Sequence, residues 1–118
     1  MTEELLQERK ADLQRMRDEL RERVQLETSE FNRLFDQLST KDYPEQAHEE
    51  IDEIATGLRE VTDRERLRRI AAAFYRMEQG TYGICQSCGG EIHPDRLEAI
   101  PDAQLCLACK SRLEQERR

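Results

Sequence analysis

The sequence predicts a mainly α-helical protein, a long antiparallel coiled-coil hairpin joined to a small four-cysteine module with a short C-terminal helix. Three observations carry this prediction. Over the first eighty of 118 residues, apolar positions recur mostly at intervals of three, four or seven. Neither Gly nor Pro occurs before Pro44. All four cysteines stand as two C-x-x-C pairs, Cys85/Cys88 and Cys106/Cys109. With 38% charged residues, 5% aromatic residues and no Trp, the chain holds too little apolar material for a large core. Long helices and one metal-stapled unit fit that composition.

The first apolar series is Leu6, Leu13, Met16, Leu20, Val24, Phe31, Leu34 and Leu38. It predicts a helix from about residue 3 to 38, on the order of 50 Å long. The second series is Ala47, Ile51, Ile54, Leu58 and Val61, then Leu67, Ile70, Phe74 and Met77. It predicts one helix ending at Gly80, the expected C-cap. The step from Val61 to Leu67 breaks the rhythm and predicts altered winding near Thr62–Arg66. Gly57 weakens that helix slightly.

Between the series lies Ser39–Pro44, short and polar, with Pro at a plausible helix start. A short connection makes the helices antiparallel neighbours within one chain, expected to be a monomer. Leu38 then lies near Ala47, Phe31 near Ile54, Leu20 near the Leu58–Leu67 stretch, and Leu6 near Phe74 and Met77. Residues 1–80 form the hairpin with its tip at 39–47, and residues 81–118 form the cysteine module. Lys110–Arg118 is the short, charged C-terminal helix. The tip is expected to stand far from the cysteine module.

Two C-x-x-C pairs separated by seventeen residues can close a tetrahedral thiolate shell. Zn²⁺ suits that shell, because it binds thiolate well and imposes no d-electron geometry. One zinc per chain on Cys85, Cys88, Cys106 and Cys109 is the expectation. Iron can use the same ligands, and two disulfides are the remaining reading. Disulfides need an oxidising compartment, and the N-terminal residues have no apolar signal core. A cytoplasmic protein without a membrane span is expected. Four protein ligands leave no open position, so the metal is expected to be structural rather than catalytic. Gly89 and Gly90 can adopt positive φ and turn N–H groups toward the sulfurs. Lys110 can offset part of the charge. His93 lies in the loop, outside a shell already full.

A net charge of −7 argues against direct DNA binding by counterion release. An acidic chain more naturally meets a basic protein surface. The Arg64, Arg66, Arg68 and Arg69 cluster points several ways from a helix and lies beside an acidic partner helix. His48 reads as an exposed helix residue. At the tip, Asp42 and Glu45 stand three residues apart at a helix start, where Asp42 can be the N-cap and Glu45 its capping-box partner.

The residues around the cysteines are more specific still. Tyr82–Gly89, then Ile92, Arg96–Ala99, Pro101, Leu105, Cys106, Cys109 and Lys110, resemble the four-cysteine zinc finger of the DksA/TraR family. The resemblance is close over about residues 59–110. It implies a transcription regulator, not an enzyme, that binds RNA polymerase. Members of the DksA type insert the coiled-coil tip into the secondary channel and alter the lifetime of promoter complexes. The family's tip motif, Asp-x-x-Asp-x-Ala, falls on Asp42, Glu45 and Ala47. Glu45 is one methylene longer than the family's Asp. Members that respond to ppGpp, the stringent-response nucleotide, use basic residues at the finger–coil junction. Two of these positions are Arg69 and Lys110 here, and a third, Arg in those members, is Ile100.

Two other functions remain open on the residues alone. One is a zinc-capped coiled-coil adaptor without a polymerase role. The other is a transcript-cleavage stimulator in which Asp42 and Glu45 hold a second Mg²⁺. The finger does not resemble the globular domains of cleavage factors.

Overall fold

The computed structural model describes residues 1–24, 33 and 46–117, with side chains from residue 49 onward in the second segment. Five helices lie among the described residues: α1 (Glu3–Val24), α2 (Gln46–Gly57), α3 (Val61–Gln79), α4 (Pro94–Ala99) and α5 (Leu107–Glu116). Extended pairing among them is limited to one antiparallel bridge, Ile84 with Glu91. The expected helical class, cysteine module and C-terminal helix are all present.

The α1–α3 pair is antiparallel, as expected of helices joined by a short connection. Arg23 near the end of α1 reaches Asp63 in the first turn of α3 at 2.9 Å. At the other end, Arg9 and Asp12 lie close enough to act electrostatically on Tyr82, just beyond α3. The shared core holds Leu13, Leu20, Leu67, Ile70 and Phe74, with Leu6, Met16, Val24 and Met77 partly buried against it. Arg33 approaches Glu50 of α2 at 3.6 Å. The expected pairings of Leu38 and Phe31 involve residues outside the described set.

The second helix is not continuous. It divides at Leu58–Arg59–Glu60, and Thr62–Arg66, where a change of winding was expected, is regular helix. Instead of extending α3, α2 packs back along it. Arg68 of α3 donates from Nε to Asp52 Oδ1 at 2.8 Å and from Nη2 to Thr56 Oγ1 at 3.1 Å. The described residues span 40 × 38 × 24 Å, broader than a two-stranded rod.

The physical reason lies in burial and in Gly57. A two-stranded seam covers only part of an apolar stripe. Folding back buries Ile51, Ala55 and Leu58 in the same cluster as Leu67 and Ile70. Glycine at the end of α2 lowers the cost of stopping there by about 1 kcal/mol relative to Ala. The carbonyl of Leu58, freed at the bend, accepts from Arg64 Nε at 2.6 Å. Val61, assigned to the seam by periodicity, is 61% exposed because it opens α3 just after the bend.

Gly80 ends α3 in the left-handed region at φ 76°. Its N–H donates to Met77 O and that of Thr81 to Arg76 O, at 3.3 and 2.8 Å. This is the cap expected from sequence, and it turns the chain into the cysteine module.

Candidate metal centre

Each cysteine pair is shaped by its own local structure. Cys85 opens a tight knuckle: its N–H donates to Gly90 O at 2.8 Å, and Gly89 N–H donates back to Cys85 O at 3.0 Å. Gly89 makes the return possible at φ 75°, a region costly for a side chain. Gly90 does not take positive φ; its N–H points at Cys88 Sγ, 3.4 Å away. The second pair sits at a helix start. Cys106 is the N-cap of α5, its Sγ accepting from Cys109 N–H at 3.5 Å. Gln86 N–H donates to Gln104 O at 3.0 Å and ties one half to the other.

The four sulfurs therefore converge, all within 4.8 Å of one another. Cys88 Sγ and Cys106 Sγ are 3.9 Å apart. A tetrahedral ion with Zn–S bonds of about 2.3 Å holds its sulfurs about 3.8 Å apart. All four cysteines are unbridged thiols. The disulfide reading thus finds no support, and the donor set fits a four-thiolate metal site.

Electrostatics point the same way. Backbone N–H groups from Cys106 and Cys88 pull the Cys85 thiol down to about 6. The Cys106 side chain, then burial, push the Cys109 thiol up to about 11. Four clustered sulfurs resist ionising together unless a cation sits among them. Lys110, expected to offset part of the charge, stands 4.0 Å from Glu114. The cation on the sulfurs is Arg112, whose Nη2 is 3.2 Å from Cys109 Sγ. Its helical i, i+3 spacing from Cys109 was the available signal in the sequence. His93 caps α4 by accepting from Asp95 N–H through Nδ1 at 3.1 Å, and it is no part of the sulfur cluster.

The module is clamped to the base of the α1–α3 pair by groups that sequence reading passed over. Arg76, 6% exposed, donates from Nη2 to Ala103 O at 3.0 Å. Burial pulls its guanidinium below the ordinary arginine range, while nearby Tyr82 and Asp102 pull it back up. Tyr82 donates its hydroxyl to Pro101 O at 2.7 Å, and burial pushes its pKa up to about 12. Arg69 Nε reaches Asp102 Oδ2 at 3.1 Å. Arg96 Nε donates to Leu105 O at 3.0 Å. Two residues of α3, Tyr82 just beyond it and one residue of α4 thus fix the segment 101–105 that delivers Cys106.

Arg76→Met should keep much of the side-chain volume but lose the bond to Ala103 O. The expected outcome is faster amide exchange across 101–105 and zinc release to a chelator accelerated about tenfold, with helix content preserved. Unchanged exchange and release would mean that Arg76 does not hold the segment.

A family model for the prokaryotic DksA/TraR C4-type zinc finger matches residues 80–115. Residues 80–115 are thus similar to a DksA/TraR-type four-cysteine zinc finger. An "Uncharacterized protein" of Aquifex aeolicus (strain VF5) is 48% identical over 50 residues, covering 42% of this chain and 34% of that protein. "General stress protein 16O" of Bacillus subtilis (strain 168) is 39% identical over 54 residues, covering 46% and 33%. "RNA polymerase-binding transcription factor DksA" of Escherichia coli (strain K12) is 44% identical over 54 residues, covering 44% and 36%. The chain thus spans about a third of the length of the curated relatives it matches. No solved structure matches it.

The other expected site residues fall in two places. Asp42 and Glu45 lie outside the described residues, as does the side chain of Ala47, whose backbone belongs to the first turn of α2. Arg69, Ile100 and Lys110 line one cavity of about 290 Å³ at the finger–coil junction, together with Arg96 and Asp102. No described helix is long and apolar enough to cross a membrane.

Proposed function

We propose that the chain is an RNA polymerase-binding transcription regulator of the DksA type. The observation that carries this reading is the DksA/TraR-type finger held rigidly against an antiparallel helix pair. A finger so clamped can orient the helices on a partner's rim. Its closed, cysteine-only ligand set supports a structural metal, one Zn²⁺ per chain, and no enzymatic role. The net charge of −7 favours a basic protein surface over DNA.

In this reading the hairpin enters the polymerase secondary channel and Asp42, Glu45 and Ala47 act at its tip. Binding energy along the coil is coupled to the stability of the promoter open complex. Presenting the tip at the far end requires α2 to leave its place beside α3 and continue the α3 axis from residues 58–60. The two Arg68 side-chain bonds to α2 are solvent-exposed and weak, so the burial of Ile51, Ala55 and Leu58 is the main cost that binding to polymerase must offset. The adaptor reading lacks a comparable supporting observation.

The direct test is retention of the zinc-loaded chain on core RNA polymerase, paired with Asp42→Asn. Asn is also a good N-cap, so this change removes charge and spares the helix start. The expected outcome is polymerase affinity within about threefold of wild type and loss of the effect on promoter-complex lifetime. No retention on core polymerase would defeat the polymerase reading. Retention with an unchanged promoter effect would reduce Asp42 to a cap.

A further inference from the structure

The cavity between α3, the end of α4 and the start of α5 is lined by three cations, Arg69, Arg96 and Lys110. One carboxylate, Asp102, lies among them. Its side chain is 8% exposed, while that of its partner Arg69 is 48% exposed. Arg69 thus faces open space with its Nε already engaged from the protein side. Behind Asp102 stands the buried Arg76, whose Nε and Nη1 have no hydrogen-bond partner among the described residues. Asp102 raises the Arg76 pKa, so its charge is felt by both guanidiniums.

We propose that Asp102 is a built-in counterion that holds this cavity closed to phosphate-bearing ligands by occupying Arg69. The proposal sets a condition on the nucleotide expectation for Arg69 and Lys110, and rests on the reading that this cavity can take phosphate at all. A guanidinium paired with a buried carboxylate presents a weaker net positive field and one fewer donor to an incoming anion. A polyphosphate brought beside Asp102 also meets like-charge repulsion that partial burial leaves poorly screened. Ile100, 42% exposed on the same wall, contributes no donor to offset this. Arg96 is committed to Leu105 O and Lys110 faces Glu114, so Arg69 is the cation whose release changes the cavity most.

Asp102→Asn removes the charge and keeps the shape. It frees Arg69 and removes the carboxylate charge that acts on Arg76, so the cavity becomes markedly more positive. The test is calorimetric titration of the full, zinc-loaded chain with inorganic tripolyphosphate at low ionic strength. Wild type, Asp102→Asn, Asp102→Ala and Asp102→Asn with Arg69→Gln are compared, each checked for zinc content and helix signal. Wild type should bind weakly. Asp102→Asn should bind at least about tenfold tighter, in a salt-sensitive manner, and the added Arg69→Gln should cancel the gain. Asp102→Ala should reproduce the gain, which keeps the test intact if Asn disturbs the 101–105 segment. Equal, measurable binding by wild type and both Asp102 variants would overturn the counterion role while leaving the cavity a phosphate site. No binding by any of them would overturn both. A gain that survives Arg69→Gln would also overturn the proposal, since the released cation would not be Arg69.

Discussion

Cys88→Ser is expected to collapse the finger and leave the α1–α3 pair standing. Cys88 is exposed, so serine there costs little in packing, and any large loss is assignable to the metal. Apparent binding free energies of structural zinc in small fingers are about 10–16 kcal/mol near neutral pH, and that energy is folding energy. The module's own apolar core, built on Tyr82, Ile92, Leu97 and Ala103, is too small to replace it. The measurement is metal content with residue-resolved amide spectra. Signals from 81–110 should lose dispersion, while those of Leu13, Leu20 and Ile70 persist. A finger spectrum indifferent to Cys88→Ser and to chelation would refute the metal-dependent fold.

Acid should act on the same site with a definite sign. The metal needs all four sulfurs as thiolates, so protons compete with it and affinity falls as pH falls. Cys85, pulled down to about 6, is largely thiolate at neutral pH, whereas Cys109, pushed up to about 11, must surrender a proton on binding. Metal uptake therefore releases protons, and metal affinity falls as pH falls.

The four-cysteine cluster was legible in the sequence because spacing alone constrains it. Two C-x-x-C pairs can close round one ion almost regardless of what surrounds them. The antiparallel sense of α1 and α3 was legible too, from the short connection expected between the helices. The bend at 58–60 was not. Periodicity reports which face is apolar, but not whether one helix or two supplies it, and a single Gly57 is a weak signal. Folding back is decided by the extra burial of Ile51, Ala55 and Leu58, a tertiary effect that overrides local winding. The clamp was also hidden. Arg76 sits among apolar core residues of α3, and its partner is a backbone carbonyl twenty-seven positions away. No residue-type pattern marks an acceptor that every residue carries. Asp102 reads as an ordinary loop acid until its burial beside Arg69 is seen.

Leu13→Ala is expected to cost the helical body about 2–5 kcal/mol, the range for a leucine deleted from a closed core. Leu13 is fully buried and belongs to the cluster that also holds Leu20, Leu67 and Ile70. It enters from α1, so its loss opens the face of α1 that packs on α3. Small domains hold only about 5–15 kcal/mol in total, so this one change removes a large fraction of the margin. The matched control is Val61→Ala, which the periodic pattern would place in the same seam. Val61 is largely exposed, and its truncation should move stability by no more than about 0.5 kcal/mol. Urea unfolding followed by helix signal, with zinc kept saturating, separates the two. Equal losses at Leu13 and Val61 would favour a continuous second helix with Val61 in the seam. A large loss at Leu13 alone supports α3 beginning after a bend, with Val61 turned to solvent.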